Sequence, residues 1–167
     1  MPDLTTLGAV HTTISLVASA SGAVALVRDR EIASRNRIGK VYVMTTLVAS
    51  ATGLAIVHQG VLDRPHALGV ATLFALAAAG AAEHTQLFGG AGRYVQTVTY
   101  SATFLFHCIA GLVETTTRLP RGAPLFSHPD ALGLHACLAV LFALYLAGAA
   151  LQVRRLRASK PALRGGL

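Results

Sequence analysis

A chain of 167 residues with only 13% charged side chains falls well short of the about 25% that a soluble domain carries, so it lacks the polar surface to clothe a water-soluble globule. Its 53% hydrophobic content and mean hydropathy of +0.57 point to lipid as the solvent. The net charge of +7 does not mark a nucleic-acid reader, because the basic residues gather at the ends of apolar stretches instead of interleaving with aromatics.

Five apolar stretches approach the roughly 20 residues that span a bilayer. In chain order they are 7–27, 40–57, 66–82, 94–112 and 131–153. The predicted fold is all-α: a polytopic membrane helix bundle of five transmembrane helices, with residues 1–153 as one domain and 154–167 as a basic tail. Arg28, Arg30, Arg35, Arg37 and Lys40 lie between the first two spans. Arg93 precedes the fourth, and Arg154, Arg155, Arg157, Lys160 and Arg164 follow the fifth. The opposite side receives only Arg64, Arg118 and Arg121. The positive-inside rule then puts the N-terminus outside and the C-terminus in the cytoplasm, as expected of a multi-pass protein of a bacterial inner membrane. Anionic membrane lipids are the natural partners of such basic ends, with other membrane subunits or a homo-oligomer as further candidates.

The first six residues hold Asp3 and no Lys or Arg, so the first span reads as a retained helix and not as a cleaved signal. Cys108 and Cys137 each fall inside a span and are expected as buried thiols; a disulfide would require the fourth and fifth helices to pack with those faces together. Small residues recur at helical spacing in the first span (Ser15, Ala18, Gly22) and the third (Ala75, Ala79, Ala82), where they let helix backbones approach. The fourth-to-fifth connection carries Pro120, Pro124 and Pro129 and is long enough to fold over the mouth of the bundle. No internal repeat suggests an inverted-repeat transporter.

The fourth span differs from the others. Gln96, Tyr100, Thr103, His107, Gly111 and Glu114 fall within an arc of about 80° on a helix of 3.6 residues per turn. Lipid cannot hydrogen-bond such a stripe, so it is expected to face the bundle interior. Interhelical hydrogen bonding accounts for Gln96 and Thr103, but less readily for His107 and Glu114.

Six of the seven histidines fall toward the outer side of this topology. At about 1.5 Å per residue, His11, His107 and His135 all lie roughly 6–9 Å beneath the outer boundary. Ionisable groups at that depth are costly and mark functional sites. The trio is the candidate ligand set for one transition-metal ion (zinc, copper or iron) or one b-type haem. His58, His66, Glu114 and Tyr100 are the candidate additional ligands or supporting groups. His58, His66 and His128 also suit a membrane interface, where histidines meet headgroups. The inner half holds only His84, which excludes a two-haem cytochrome that carries electrons across the bilayer.

The run Asn36-Arg37-Ile38-Gly39-Lys40-Val41-Tyr42, with His11 upstream and Glu83-His84 and Arg93-Tyr94 downstream, resembles an uncharacterised family of bacterial integral membrane proteins, a domain of unknown function. Its members carry a histidine on the first helix and a His-Arg-x-x-Gly-Arg-x-Tyr-like junction opening the second. The resemblance covers about residues 8–106 and implies a multi-helix membrane fold without an assigned activity. Asn36 stands where the family has the junction histidine, so any role of that histidine is absent.

Two functions fit these residues. One is a membrane protein with a periplasm-facing histidine site serving redox chemistry or metal handling, with enzymatic activity open. The other is a non-catalytic accessory subunit packed against a larger membrane complex, its histidines serving as hydrogen-bonding groups. A proton or small-solute channel has few ionisable groups in the inner half to support it.

Overall fold

The computed structural model describes residues 6–56, 64–120 and 122–159. Five long helices make up nearly all of it: α1 (Thr6–Arg28), α2 (Arg37–Ala55), α3 (Arg64–His84), α4 (Gly92–Arg118) and α5 (Leu132–Ala158). No strand occurs among the described residues. Each helix covers most of its predicted stretch. α4 and α5 run past theirs: α4 continues through Glu114 to Arg118 and shortens the following loop, and α5 continues to Ala158, into the stretch predicted as a tail.

The helices pack as a ring of four, α1 on α2, α2 on α3, α3 on α4, and α4 back on α1. α5 stands outside that ring and, among the helices, packs only on α4, with one hydrogen bond from Gln152 to the α1–α2 turn. One end of the bundle gathers the α1–α2 turn, the α3–α4 turn and the end of α5, and holds most of the arginines. We call it the basic end; the opposite one, with His11 and the loop before α5, is the histidine end.

The basic end is built by local chemistry. Asn36 caps α2: its side-chain oxygen accepts the Gly39 N–H at 2.8 Å, while its amide donates to Asp29 at 3.2 Å. Such a cap satisfies one of the donors that a helix start leaves without a partner. Gly39 is required by a close approach, since a Cβ there would sit 1.9 Å from the Ala33 carbonyl oxygen. The Asn-x-x-Gly part of the junction motif is thus explained by its fold: it turns the chain from α1 into α2.

α1, α2, α3 and α5 are each long and apolar enough to cross a membrane. Their large exposed side chains, among them Leu16, Phe74, Leu144 and Leu151, suit a lipid surround. α4 falls short on composition because one of its sides is polar. That side is buried: Gln96, Thr97, Tyr100, Ser101 and Thr103 are all inside. A helix that is polar toward the bundle and apolar toward its outside is an arrangement lipid permits.

The core is assembled around two tyrosines. Tyr42 and Tyr100 pack with Ala25, Ile32, Leu76 and Ala79 in one cluster. Gly22 of α1 gives the room: a Cβ there would lie 2.6 Å from Phe104 and 2.7 Å from the Tyr42 ring. The small-residue row of α1 therefore serves packing, as its spacing suggests.

Candidate functional site

The polar stripe of α4 is met by side chains from three other helices. His107 Nε2 lies 3.1 Å from Thr46 Oγ1 of α2, and its ring stands edge-on to Tyr42 with centroids 6.1 Å apart. Thr46 also lies near the Tyr42 hydroxyl. Tyr42 in turn meets Thr103 Oγ1 at 2.7 Å, and Thr103 donates its hydrogen to the Tyr100 carbonyl at 2.7 Å. A hydroxyl has one hydrogen to give, so with Thr103 committed, Tyr42 must be the donor in the Tyr42–Thr103 bond.

The same counting fixes a histidine tautomer. Thr52 Oγ1 donates to the Val48 carbonyl at 2.8 Å, so its contact with His11 Nδ1 at 3.1 Å must be an N–H donated by the imidazole. His11 Nε2 then keeps a free lone pair. The ring lies over Gly53, where an added Cβ would come 3.1 Å from its Cε1. His11 and His107 are within electrostatic reach of one another. Both side chains are half-buried inside the ring of four helices.

His135 is placed differently. It is exposed on α5, which makes no contact with α1, and its charged neighbour is Asp130 in the preceding loop. The structure brings His11 and His107 into one interior and leaves His135 outside it. Among the described residues no three His, Cys, Asp or Glu side chains gather as a metal-binding group. His66 is buried at the start of α3, His128 is exposed in the loop, and His58 lies outside the described residues. Glu114 pairs with Arg118 one turn on, at 2.8 Å, on a half-exposed surface. Both cysteines are free thiols; Cys108 is half-buried, whereas Cys137 is exposed.

At the basic end lies Glu83, which in the sequence stood out only within the Glu83-His84 pair of the family resemblance and not as a candidate site residue. The Glu83 side chain is 7% exposed. Its Oε2 accepts the Tyr100 hydroxyl at 3.1 Å and the Ser34 N–H at 3.2 Å, while Oε1 has no hydrogen-bond partner among the described residues. A buried carboxyl oxygen without a partner is costly. Gln96 adds a second such atom, Nε2, one turn along α4. Beside Glu83, the largely exposed His84 reaches Ser34 Oγ at 3.2 Å and comes within 4.0 Å of Glu83 Oε2. Glu83 thus joins the interior to the surface.

Together these groups make a polar track along α4 inside the bundle. His11 and His107 stand at one end, the hydroxyls of Thr46, Tyr42 and Thr103 in the middle, and Tyr100, Glu83 and His84 at the other. The class defined by fold and site is an all-α bundle of membrane-spanning character with a hydrogen-bonded polar interior. Comparison with family models, curated proteins and solved structures finds no match for this chain.

Proposed function

We propose that the chain is a multi-pass protein of a bacterial inner membrane, crossing five times with its N-terminus outside, and that it passes protons along α4 between the two ends of the bundle. α4 is the fifth span in this account, its polar side turned inward. The observation that carries the function is a row of three hydrogen-bonded pairs of exchangeable groups along α4: His107 with Thr46, Tyr42 with Thr103, and Tyr100 with Glu83. In such a chain each hydroxyl accepts one proton and releases its own, so charge moves without any atom travelling far. His11 and His107 stand at the outer end of this path, and Glu83, with His84 within 4.0 Å of its carboxyl, stands at the inner one. The track has two gaps: one between the Thr46 and Tyr42 hydroxyls, and one between the Thr103 and Tyr100 hydroxyls, where Thr103 is bonded to the Tyr100 carbonyl instead.

The test is a vesicle assay. Purified protein in liposomes with an interior pH dye should acidify or alkalinise the lumen when a potassium diffusion potential is applied. Dye traces indistinguishable from protein-free liposomes would refute the proposal.

A second function, one metal ion held by His11 and His107 for redox chemistry or metal handling, is favoured by the His11 tautomer. Its Nδ1–H is bonded to Thr52 and its Nε2 lone pair is open, the arrangement of a ligating histidine with a supporting acceptor. Stoichiometric zinc, copper or iron in the purified protein, lost on His11→Ala, would establish it, and a Soret band would make the group a haem.

A further inference from the structure

A cavity of about 210 Å³ opens at the basic end, between the α1–α2 turn, α4 and α5, away from the polar track. Arg30, Arg93, Arg155, Gln152 and Leu156 are among its walls. The carboxylates nearby are already matched. Asp29 accepts two hydrogen bonds at 2.8 Å from Arg28, which holds its carboxyl below the usual range. Glu31 is held by Arg35 and, at 3.0 Å, by Arg93. Arg30 and Arg155 have no ion-pair partner among the described residues, and both are exposed at the cavity. Five arginines therefore stand against two carboxylates, with two guanidiniums left to recruit an anion.

The backbone supports the same conclusion. Arg30 adopts φ 60, a left-handed conformation uncommon for a residue of its kind. It is held there by the buried Gln152, whose amide donates to the Arg30 carbonyl at 3.0 Å and whose oxygen accepts the Ser101 hydroxyl at 3.0 Å. A buried amide that ties α5 and α4 to one strained turn fixes Arg30 at the cavity rim. Strain kept by such support is characteristic of ligand clamps.

We propose that this cavity binds the phosphate of an anionic phospholipid headgroup, with Arg30 and Arg155 as its two clamps. The planar guanidinium fork matches phosphate oxygens in pairs. Leu156 supplies an apolar wall, and α5 beside it is apolar and almost wholly bare, a surface along which acyl chains can lie. Basic pockets between helices at a membrane's basic face are suited to headgroups of this charge.

The probes are dioctanoyl phosphatidylglycerol, dioctanoyl phosphatidylcholine and inorganic phosphate, each titrated into the full chain in mild detergent. Phosphatidylglycerol should bind at least about tenfold more tightly than either of the others. Arg30→Asn, which keeps a residue tolerant of the left-handed backbone, and Arg155→Gln should each weaken it by about fivefold or more, since each removes a charge-assisted clamp. Arg157→Gln, on the same end but not at the cavity, should change it by less than about twofold. Helical content by circular dichroism checks that the variants are folded. Equal weakening by Arg157→Gln would reduce the effect to diffuse charge and overturn the proposal. Phosphate binding as tight as phosphatidylglycerol would overturn the lipid as ligand and assign the cavity to a soluble phosphate.

Discussion

Tyr42 and Thr103, 61 residues apart in the chain, meet hydroxyl to hydroxyl at 2.7 Å in the buried centre of the bundle. Because Thr103 gives its hydrogen to the Tyr100 carbonyl, the bond has a direction, from α2 to α4. An interhelical hydrogen bond in a membrane protein is worth about 0.6 kcal/mol on average, too little to hold the bundle together by itself. Tyr42→Phe keeps the ring that packs in the core and removes the hydroxyl. The variant should remain folded, with a melting temperature lowered by only a few degrees, while its proton flux in vesicles falls by at least about tenfold, a barrier increase near 1.4 kcal/mol. Unchanged flux would mean that this hydroxyl carries no protons.

Gly22 sits where α1 meets both Tyr42 and Phe104. Gly22→Val should overpack that contact and destabilise the bundle by about 1–3 kcal/mol, read as earlier thermal unfolding in detergent. Gly80, whose added Cβ would meet nothing within 4 Å, is the control. Gly80→Ala should leave stability equal or slightly raised, because glycine is the poorer helix former.

Asp130 and Arg64 tie the loop before α5 to the start of α3 at 2.7 Å. The Arg64 guanidinium holds the Asp130 carboxyl below its ordinary value, with smaller contributions from His135 and His128. A carboxyl with a depressed value in the folded state contributes its tie above the unfolded value, about 3.9, and loses it as pH falls further through the folded one. A spin label on Ser127 should therefore report a fixed loop at neutral pH and a looser one below that window. With Arg64→Gln the label should be loose throughout. A pH response that survives Arg64→Gln would assign the tie to other groups.

The fold was largely legible because its signals are one-dimensional: apolar length, basic residues at helix ends, and a polar stripe of fixed period. Gln96, Tyr100 and Thr103 are buried as that stripe requires, and His107 points inward to Thr46. The stripe ends early, however, with Gly111 exposed and Glu114 turned to Arg118. Residue counts along helices give depth but not direction, so His135 could be ranked level with His11 and still lie outside the ring on α5. The partners of the stripe were less visible, since each comes from another helix. Yet α2 carries its own buried row, Tyr42, Thr46 and Ser50, with Gly53 following, at the same helical spacing. Two facing polar rows are a stronger signal than either alone. Glu83 had no such row; only the turn that brings Ser34 beside α3 reveals it.

The topology has its own check. A cytoplasm-dependent reporter fused after Leu167 should be active, and a periplasm-dependent one silent, as the distribution of arginines requires. The reverse pattern would turn the bundle over and place Glu83 at the outer face.

The central claim is that the two ends of the polar track act as one path, and paired variants in the vesicle flux assay address it most directly. Glu83→Gln keeps the shape and removes the exchangeable carboxyl; His107→Phe keeps a ring of similar size and removes the imidazole. If protons travel along α4, each variant alone should reduce flux by at least about tenfold, and the double variant should lose little more, because one broken station already closes the path. If Glu83→Gln and His107→Phe both conduct as the unaltered protein does, the track is a set of structural hydrogen bonds and the account is wrong.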